Sequence, residues 1–369
     1  MNRNIDRRLL LQAGATGLLG AGLAGVLPLR PERAFAADAP FRIALSNSFI
    51  GNKWRLEMEN VFKAALQMEP YKSEVQGTWF NSGNDISKQT QQISNLIAER
   101  VDAILIDAAS PTGLNGVIRQ ATARGIVVIA FDNLVTAPSA LTVNISEADL
   151  GRQLAEWLVK KLNGQGNVIM VTGVAGTQDD TDRNEAAEAV WKQHPGIKVV
   201  NRYTGMWDSS TAERNTAAIL PSLPKVDGIW CQGGTDGVLK AFVAAGRTPL
   251  PFTAGECENG FRKFMIGYNG QKVDGISIGA PPFASVVSLE LARRILRKEY
   301  PKKSIMLPLA AVTSDTVKVG ETVFPDQPDS FFDDFTAGKG PNSLVDLCVG
   351  AALNGDACPG RLSVMLPTA

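Results

Sequence analysis

The chain has 369 residues, 44% of them hydrophobic and 20% charged, and its 37 basic side chains balance 37 acidic ones. That length supports two domains, each with its own core, and no basic stripe or arginine-rich tail marks a nucleic-acid partner. One histidine, His194 in a Gln-His-Pro-Gly turn, and four cysteines without Cys-x-x-Cys or Cys/His spacing argue against a metal centre.

Residues 1–36 read as an export signal. Arg7-Arg8 precede a Gly/Ala/Leu-rich segment from Ala13 to Leu29 and a small-residue site at Ala34-Phe35-Ala36, so the mature chain is expected to start at Ala37. The arginine pair and weakly apolar core match a twin-arginine signal, with a Sec-type signal as the alternative. The segment is shorter than the roughly 20 residues that span a bilayer, and no later apolar stretch is long enough either. Removing it leaves 333 residues with 32 basic against 35 acidic side chains, a mildly acidic protein expected in the periplasm. There cysteines can pair. Cys348 and Cys358 enclose a short loop containing Asn354-Gly355-Asp356 and form a candidate disulfide, whereas Cys231 and Cys257 read as buried thiols at strand ends.

From Phe41 onward, short apolar runs alternate with helical periodicity. Strands are expected at 41–45, 78–81, 104–106, 126–131, 168–171, 199–203, 228–231, 251–254 and 276–278. Helices are expected from near Asn52, where Trp54, Met58, Val61, Phe62 and Ala65 share one face, and over 86–100, 113–124, 148–162, 236–245 and 285–298. The first lobe then has about four strands before residue 145. A motif occurs twice, as Val101-Asp102-Ala103-Ile104-Leu105-Ile106 and Val226-Asp227-Gly228-Ile229-Trp230-Cys231, each opening a βαβ unit whose strands end in polar residues. The fold class is therefore α/β, with two doubly wound parallel-sheet lobes and ligands expected beyond the carboxyl ends of the strands. Interlobe crossings fall near 141–148, 279–282 and 309–312, a multi-crossing hinge. This divides the chain into a first lobe of 41–144 plus 281–310 and a second of 145–280 plus 311–325. Residues 326–369, rich in Asp, Pro and Gly, form a tail wrapped over the lobes.

Ile43-Ala44-Leu45-Ser46-Asn47-Ser48 followed by Gly51-Asn52-Lys53-Trp54-Arg55 resembles the opening of periplasmic sugar-binding proteins of ABC importers, of the ribose and galactofuranose type. The resemblance continues through Val127 to Asn133, Gly173-Val174-Ala175-Gly176-Thr177 with Arg183, and Gly205-Met206-Trp207-Asp208, and covers roughly residues 41–312. It implies the type I periplasmic binding protein fold, closing on one sugar that is passed to a permease in the inner membrane.

The same resemblance implies the site. Asn52 and Trp54 fall on the amide and aromatic ring of the first loop, with Arg55 beside them, and Asp132 falls on a hydroxyl-binding carboxylate. Arg183 points into the cleft, and Trp207 is the second-lobe aromatic. Planar amides, carboxylates and guanidinium groups suit sugar hydroxyls, and aromatic faces suit sugar C–H faces. Departures are also present. Asn133 stands where an arginine commonly follows the aspartate, Gly233 where an amide is usual, and Ala280 where a hinge glutamine is usual. Gln232, Thr235 or Asp236 substitutes for the missing amide, and either Glu256 or Cys257, with Glu256 preferred, aligns with the strand-ending aspartate. Core packing is the alternative reading for Trp54 and Trp207, an Asx turn for Asp132-Asn133, a surface ion pair for Arg183, and favourable helix-terminal charge for Asp179, Asp180 and Asp182.

Gly173 to Arg183 lacks both the Gly-Lys-Ser/Thr ending of a phosphate loop and the dinucleotide spacing, and neither a Gly-x-Ser-x-Gly elbow nor a cysteine–histidine pair is present. The chain thus reads as a monomeric, non-enzymatic binding protein without a cofactor, taking a neutral or an anionic sugar. The alternatives are a ligand receptor signalling to a membrane sensor, and a secreted carbohydrate-active enzyme using two cleft carboxylates.

Overall fold

The computed structural model describes residues 39–267, 270–332, 345, 347, 349–358, 362, 364 and 366. The expected export signal and Cys348 lie outside these residues, whereas Cys358 is disulfide-bonded. Cys231 and Cys257 are buried, and no helix among the described residues is long and apolar enough to cross a membrane.

Twelve strands form two six-stranded sheets. In chain order the first part runs β1 (Phe41–Asn47), α1 (Lys53–Ala65), α2 (Tyr71–Glu74), β2 (Val75–Asn81), α3 (Ile86–Ala98), β3 (Ala103–Asp107), α4 (Asn115–Ala123), β4 (Val127–Phe131) and β5 (Leu141–Asn144). Next come α5 (Glu147–Lys161), β6 (Gly166–Thr172), α6 (Gln178–Gln193), β7 (Ile197–Thr204), α7 (Ser209–Ile219), β8 (Gly228–Cys231), α8 (Thr235–Ala244), β9 (Phe252–Gly255), α9 (Asn259–Ile266) and β10 (Gly275–Ser277). The chain ends with α10 (Ala284–Leu296), β11 (Ile305–Met306), β12 (Val312–Thr313) and α11 (Val349–Asn354). Five strands, not four, precede residue 145.

The first sheet is ordered β11-β5-β4-β3-β1-β2 and the second β12-β10-β9-β8-β6-β7. All pairings are parallel except that of β10 with β12. Central strands β3, β4 and β8 are buried along their whole length, which is why they read as unbroken apolar runs. The chain passes between sheets after β5, after β10 and after β11. Past β10, helix α10 packs back on α1 and on strands of the first sheet.

Helix starts follow local capping chemistry. Asn52, extended at φ −120° and ψ 167°, accepts the Arg55 N–H at 2.8 Å and opens α1. Ser146 opens α5 and Thr177 opens α6 in the same way. Sequence periodicity did not reveal α7 or α9. Of the described tail residues, those of α11 pack on α1, where Asn60 donates to the Ala352 and Leu353 carbonyls.

Helix α8 begins differently, because Gly234 at its N-cap is left-handed (φ 73°) and has no side chain to cap with. Buried Glu258 supplies the acceptors, taking the Gly234 and Thr235 N–H groups at 2.6 and 2.9 Å. Burial, with Asp236 adding like charge, pushes Glu258 from near 4.5 up to about 7. The native state then holds this proton more tightly than the unfolded chain. The stability it contributes is fully present below about pH 4.5 and is lost as pH rises through about 7. Glu258→Gln is expected to flatten this part of a melting-temperature profile recorded from about pH 5 to about pH 8; an unchanged slope would contradict the assignment.

Candidate functional site

The carboxyl ends of the parallel strands in the two sheets converge on a cleft. Asn52, Trp54, Arg55 and Asp132 line it from the first lobe, and Asp179, Arg183, Trp207 and Glu256 from the second; Ala280 and Phe332 complete the wall.

Each lobe buries one guanidinium in a cage of acceptors. Arg55, 7% exposed, pairs with Asp107 at the end of β3 and at 3.0 Å with Asp132 just beyond β4. It also donates to Asn47 Oδ1 (3.1 Å) at the end of β1 and to Ser48 Oγ (3.2 Å) just beyond it. Arg183, 3% exposed on α6, donates from Nε to Glu147 at 2.6 Å, and from Nη1 to Glu256 at 3.2 Å and to the Gln232 carbonyl at 3.3 Å. Burial alone would lower the Arg183 pKa, but Glu147, Glu256 and Asp179 outweigh it and raise the value. For Arg55 burial prevails and lowers the pKa, with Asp132 and Asp179 opposing it; both guanidinium groups are already paired.

The carboxylates outnumber the arginines. Asp107 and Asp132 face Arg55, Glu147 and Glu256 face Arg183, and Asp179 lies between the two groups with no salt-bridge partner among the described residues. Burial, reinforced by Glu147 and Asp132, raises Asp179 well above its ordinary value. Burial likewise raises Glu147 despite its bond to Arg183, and Glu147 Oε1 has no hydrogen-bond partner among the described residues. Burial thus shifts Asp179 toward its protonated form, in which the carboxyl is a donor as well as an acceptor.

The aromatic walls are anchored from behind. Trp54 Nε1 donates at 2.8 Å to the carbonyl of Ala280, tying α1 to the segment that leaves β10. Its ring carries the Arg55 guanidinium at 5.6 Å, and the residue both packs into the core and lines the cleft. Trp207 has a left-handed backbone (φ 52°), donates Nε1 to Gln232 Oε1 at 3.2 Å, and carries Arg183 at 5.9 Å. A Cβ on Gly173 would lie 2.1 Å from the Trp207 ring, so glycine is required where the indole crosses the loop after β6.

Three expected site residues stand behind the wall. Asn133 donates to Asp132 at 3.0 Å and to Asp107 at 3.4 Å, steadying carboxylates instead of facing the cavity. Gln232 is fully buried, bonded to Trp207, Asn184 and the Asp180 carbonyl. Asp236 is turned to Lys240 (2.6 Å) and Ser209 within the second lobe, the i,i+4 partner satisfying a charge too buried to stand alone. Asp107, Glu147 and Phe332 were not among the residues singled out, and Asp179 was read chiefly as helix-terminal charge. Asp107 ends a strand as Asp132 does and follows the same rule, whereas Glu147 and Asp179 sit in first helical turns and are hidden among ordinary helix-terminal charges.

The family model described as "Periplasmic binding protein domain" matches residues 43–299. The chain is 26% identical over 249 residues to the xylitol-binding protein of Mycolicibacterium smegmatis, covering 65% of this chain and 69% of that one. It is 27% identical over 262 residues to the D-ribose/D-allose-binding protein of Pseudomonas aeruginosa, covering 67% and 78%. Among solved structures, an ABC transporter solute binding protein from Thermobispora bispora superposes with a TM-score of 0.65 at 32% identity, over 74% of this chain and 84% of that one. With two parallel-sheet lobes, a cleft at their strand ends and a family match over most of its length, the chain belongs to the periplasmic binding protein family.

Proposed function

We propose that this protein is the periplasmic receptor of an ABC importer and captures a neutral polyhydroxy solute, a monosaccharide or polyol, between its lobes. The observation that carries the neutral charge is that both cleft arginines are already paired with two carboxylates each. An anionic sugar acid would meet an excess of buried negative charge. A neutral ligand offers hydroxyls that exchange hydrogen bonds with Asp132, Asp179, Glu256 and the amide of Asn52, while its C–H faces lie on Trp54 and Trp207.

The role requires no covalent step. A ligand touching both lobes at once favours the closed arrangement and shifts the population toward it. The passages after β5, β10 and β11 serve as the hinge between a first lobe of 41–144 plus 281–310 and a second of 145–280 plus 311–325, and the permease reads lobe closure. Export through the twin-arginine route, a monomeric state and a Cys348–Cys358 bridge belong to this reading, supported by the amino-terminal pattern and the disulfide-bonded state of Cys358.

Thermal shift with xylitol, D-ribose, D-allose, myo-inositol, D-glucose and D-gluconate tests it. At about 100 times Kd a true ligand contributes about 2.7 kcal/mol, raising Tm by about 5 °C. A neutral polyol or sugar is expected to give that shift, with D-gluconate giving none. Trp207→Ala should weaken binding by about 30-fold, equivalent to about 2 kcal/mol. A shift with D-gluconate alone would sink the neutral-ligand reading.

Asp179 provides a second test. Because burial shifts its carboxyl toward the protonated form, Asp179→Asn keeps a donor and an acceptor in the same shape as that form. Its affinity is expected to stay within about threefold of wild type, since one hydrogen bond is worth about 1 kcal/mol. It should also lose the decline that wild type shows as pH rises through the elevated Asp179 value. A pH profile identical in the two proteins, measured by calorimetry, would contradict this role.

A further inference from the structure

The family match ends at residue 299, yet the tail beyond it reaches the cleft. Asn259, at the start of α9, holds the segment from both sides. Its Oδ1 accepts the Phe324 N–H at 2.9 Å, its Nδ2 donates to the carbonyls of Phe324 (2.9 Å) and Pro328 (3.0 Å), and its backbone N–H donates to the Phe331 carbonyl at 2.8 Å. Gly260 N–H donates to the Asp329 carbonyl at 2.8 Å, and a Cβ on Gly260 would lie 2.8 Å from the Asp329 Cβ. The Asp329 carboxylate bridges Lys240 and Lys263 at 2.8 and 2.9 Å. Phe331 is buried edge-on against Phe324, with ring centres 5.7 Å apart.

The adjacent Phe332 does something different. It forms an antiparallel bridge with Glu258 of the second lobe, while its N–H donates at 3.0 Å to Glu57 on α1 of the first. Its backbone is thus bonded to both lobes, and the residue, 5% exposed, lines the cavity together with Trp54 and Trp207. Ala280 presents only a methyl group to the same cavity. Phe331 and Phe332 both belong to the buried core, and of the two it is Phe332 that also lines the cleft.

We propose that Phe332 is a specificity-determining residue of the ligand site, an aromatic wall supplied by the tail that limits ligand size and receives a C–H-rich edge of a neutral polyhydroxy ligand. This rests on the reading of the cleft as a sugar or polyol site. The class of ligand it selects is a single ring or short polyol with one weakly hydroxylated edge. A longer saccharide would have to displace the ring.

The test compares the full-length chain with Phe332→Ala and Phe332→Leu, using calorimetry with xylitol, D-ribose, D-allose and maltose, and acrylamide quenching of tryptophan fluorescence without ligand. Phe332→Ala is expected to lose at least about tenfold in affinity for whichever of these sugars wild type prefers and to narrow its discrimination against maltose; Phe332→Leu should recover most of the loss. A lowered melting temperature with unchanged affinity ratios would assign Phe332 a purely structural role and overturn the proposal. If wild type binds none of the four, the sugar reading fails separately, and quenching still decides the wall: increased quenching in Phe332→Ala supports a ring that shields Trp54 and Trp207, and unchanged quenching refutes it.

Discussion

Burying a guanidinium group costs several kcal/mol unless its charge and donors are matched, and this protein buries two, one in each lobe, facing a common cleft. Asp107 and Asp132 meet the requirement around Arg55, and Glu147 and Glu256 around Arg183. Much of the local architecture follows from that need. The carboxylates stand at the ends of β3, β4 and β9 or in the first turn of α5, where parallel strands and short loops bring them together without long reaches. The pairing fixes the planes of both arginines, and each guanidinium in turn lies over the ring of a cleft tryptophan. The same surplus of carboxylates is the basis for the proposed neutral ligand.

The strand pattern was legible because central strands of a parallel sheet are buried on both faces and read as continuous apolar runs. Their polar ends were legible for the same reason: Asp132, Gln232 and Glu256 are abrupt endings to such runs. Where the reading went too far, the cause is local competition for polar groups. Asp236 has a lysine one helical turn away and is consumed by it, and Gln232 turns to orient Trp207 from behind. Asp179 was the converse case, since its place in a first helical turn explains an acidic residue without reference to any cleft. Only its burial among Glu147, Asp132 and the two arginines reveals the distinction. Phe332 lies in a Pro- and Asp-rich stretch with no period, so nothing local marks which of two adjacent buried phenylalanines also lines the cavity.

The two lobes are linked by more than the connecting strands. Trp54 reaches the Ala280 carbonyl where the chain leaves β10, and Phe332 is bonded to Glu57 on one side and Glu258 on the other. The Trp54 side chain is thus bonded to the segment leaving β10, and the Phe332 backbone to both lobes. In the proposed role these contacts would couple occupation of the cleft to the geometry between lobes, the kind of differential interaction that a population shift requires.

The most direct test of the charge argument is calorimetry of D-galactose and D-galacturonate with wild type and Glu256→Gln, because this substitution removes one of the two carboxylates paired with Arg183 and keeps the side-chain shape. The account predicts that wild type does not bind the sugar acid and that Glu256→Gln gains measurable affinity for it. Wild type binding D-galacturonate more tightly than D-galactose, with Glu256→Gln making no difference, would contradict the claim that buried ion pairing sets the charge of the ligand.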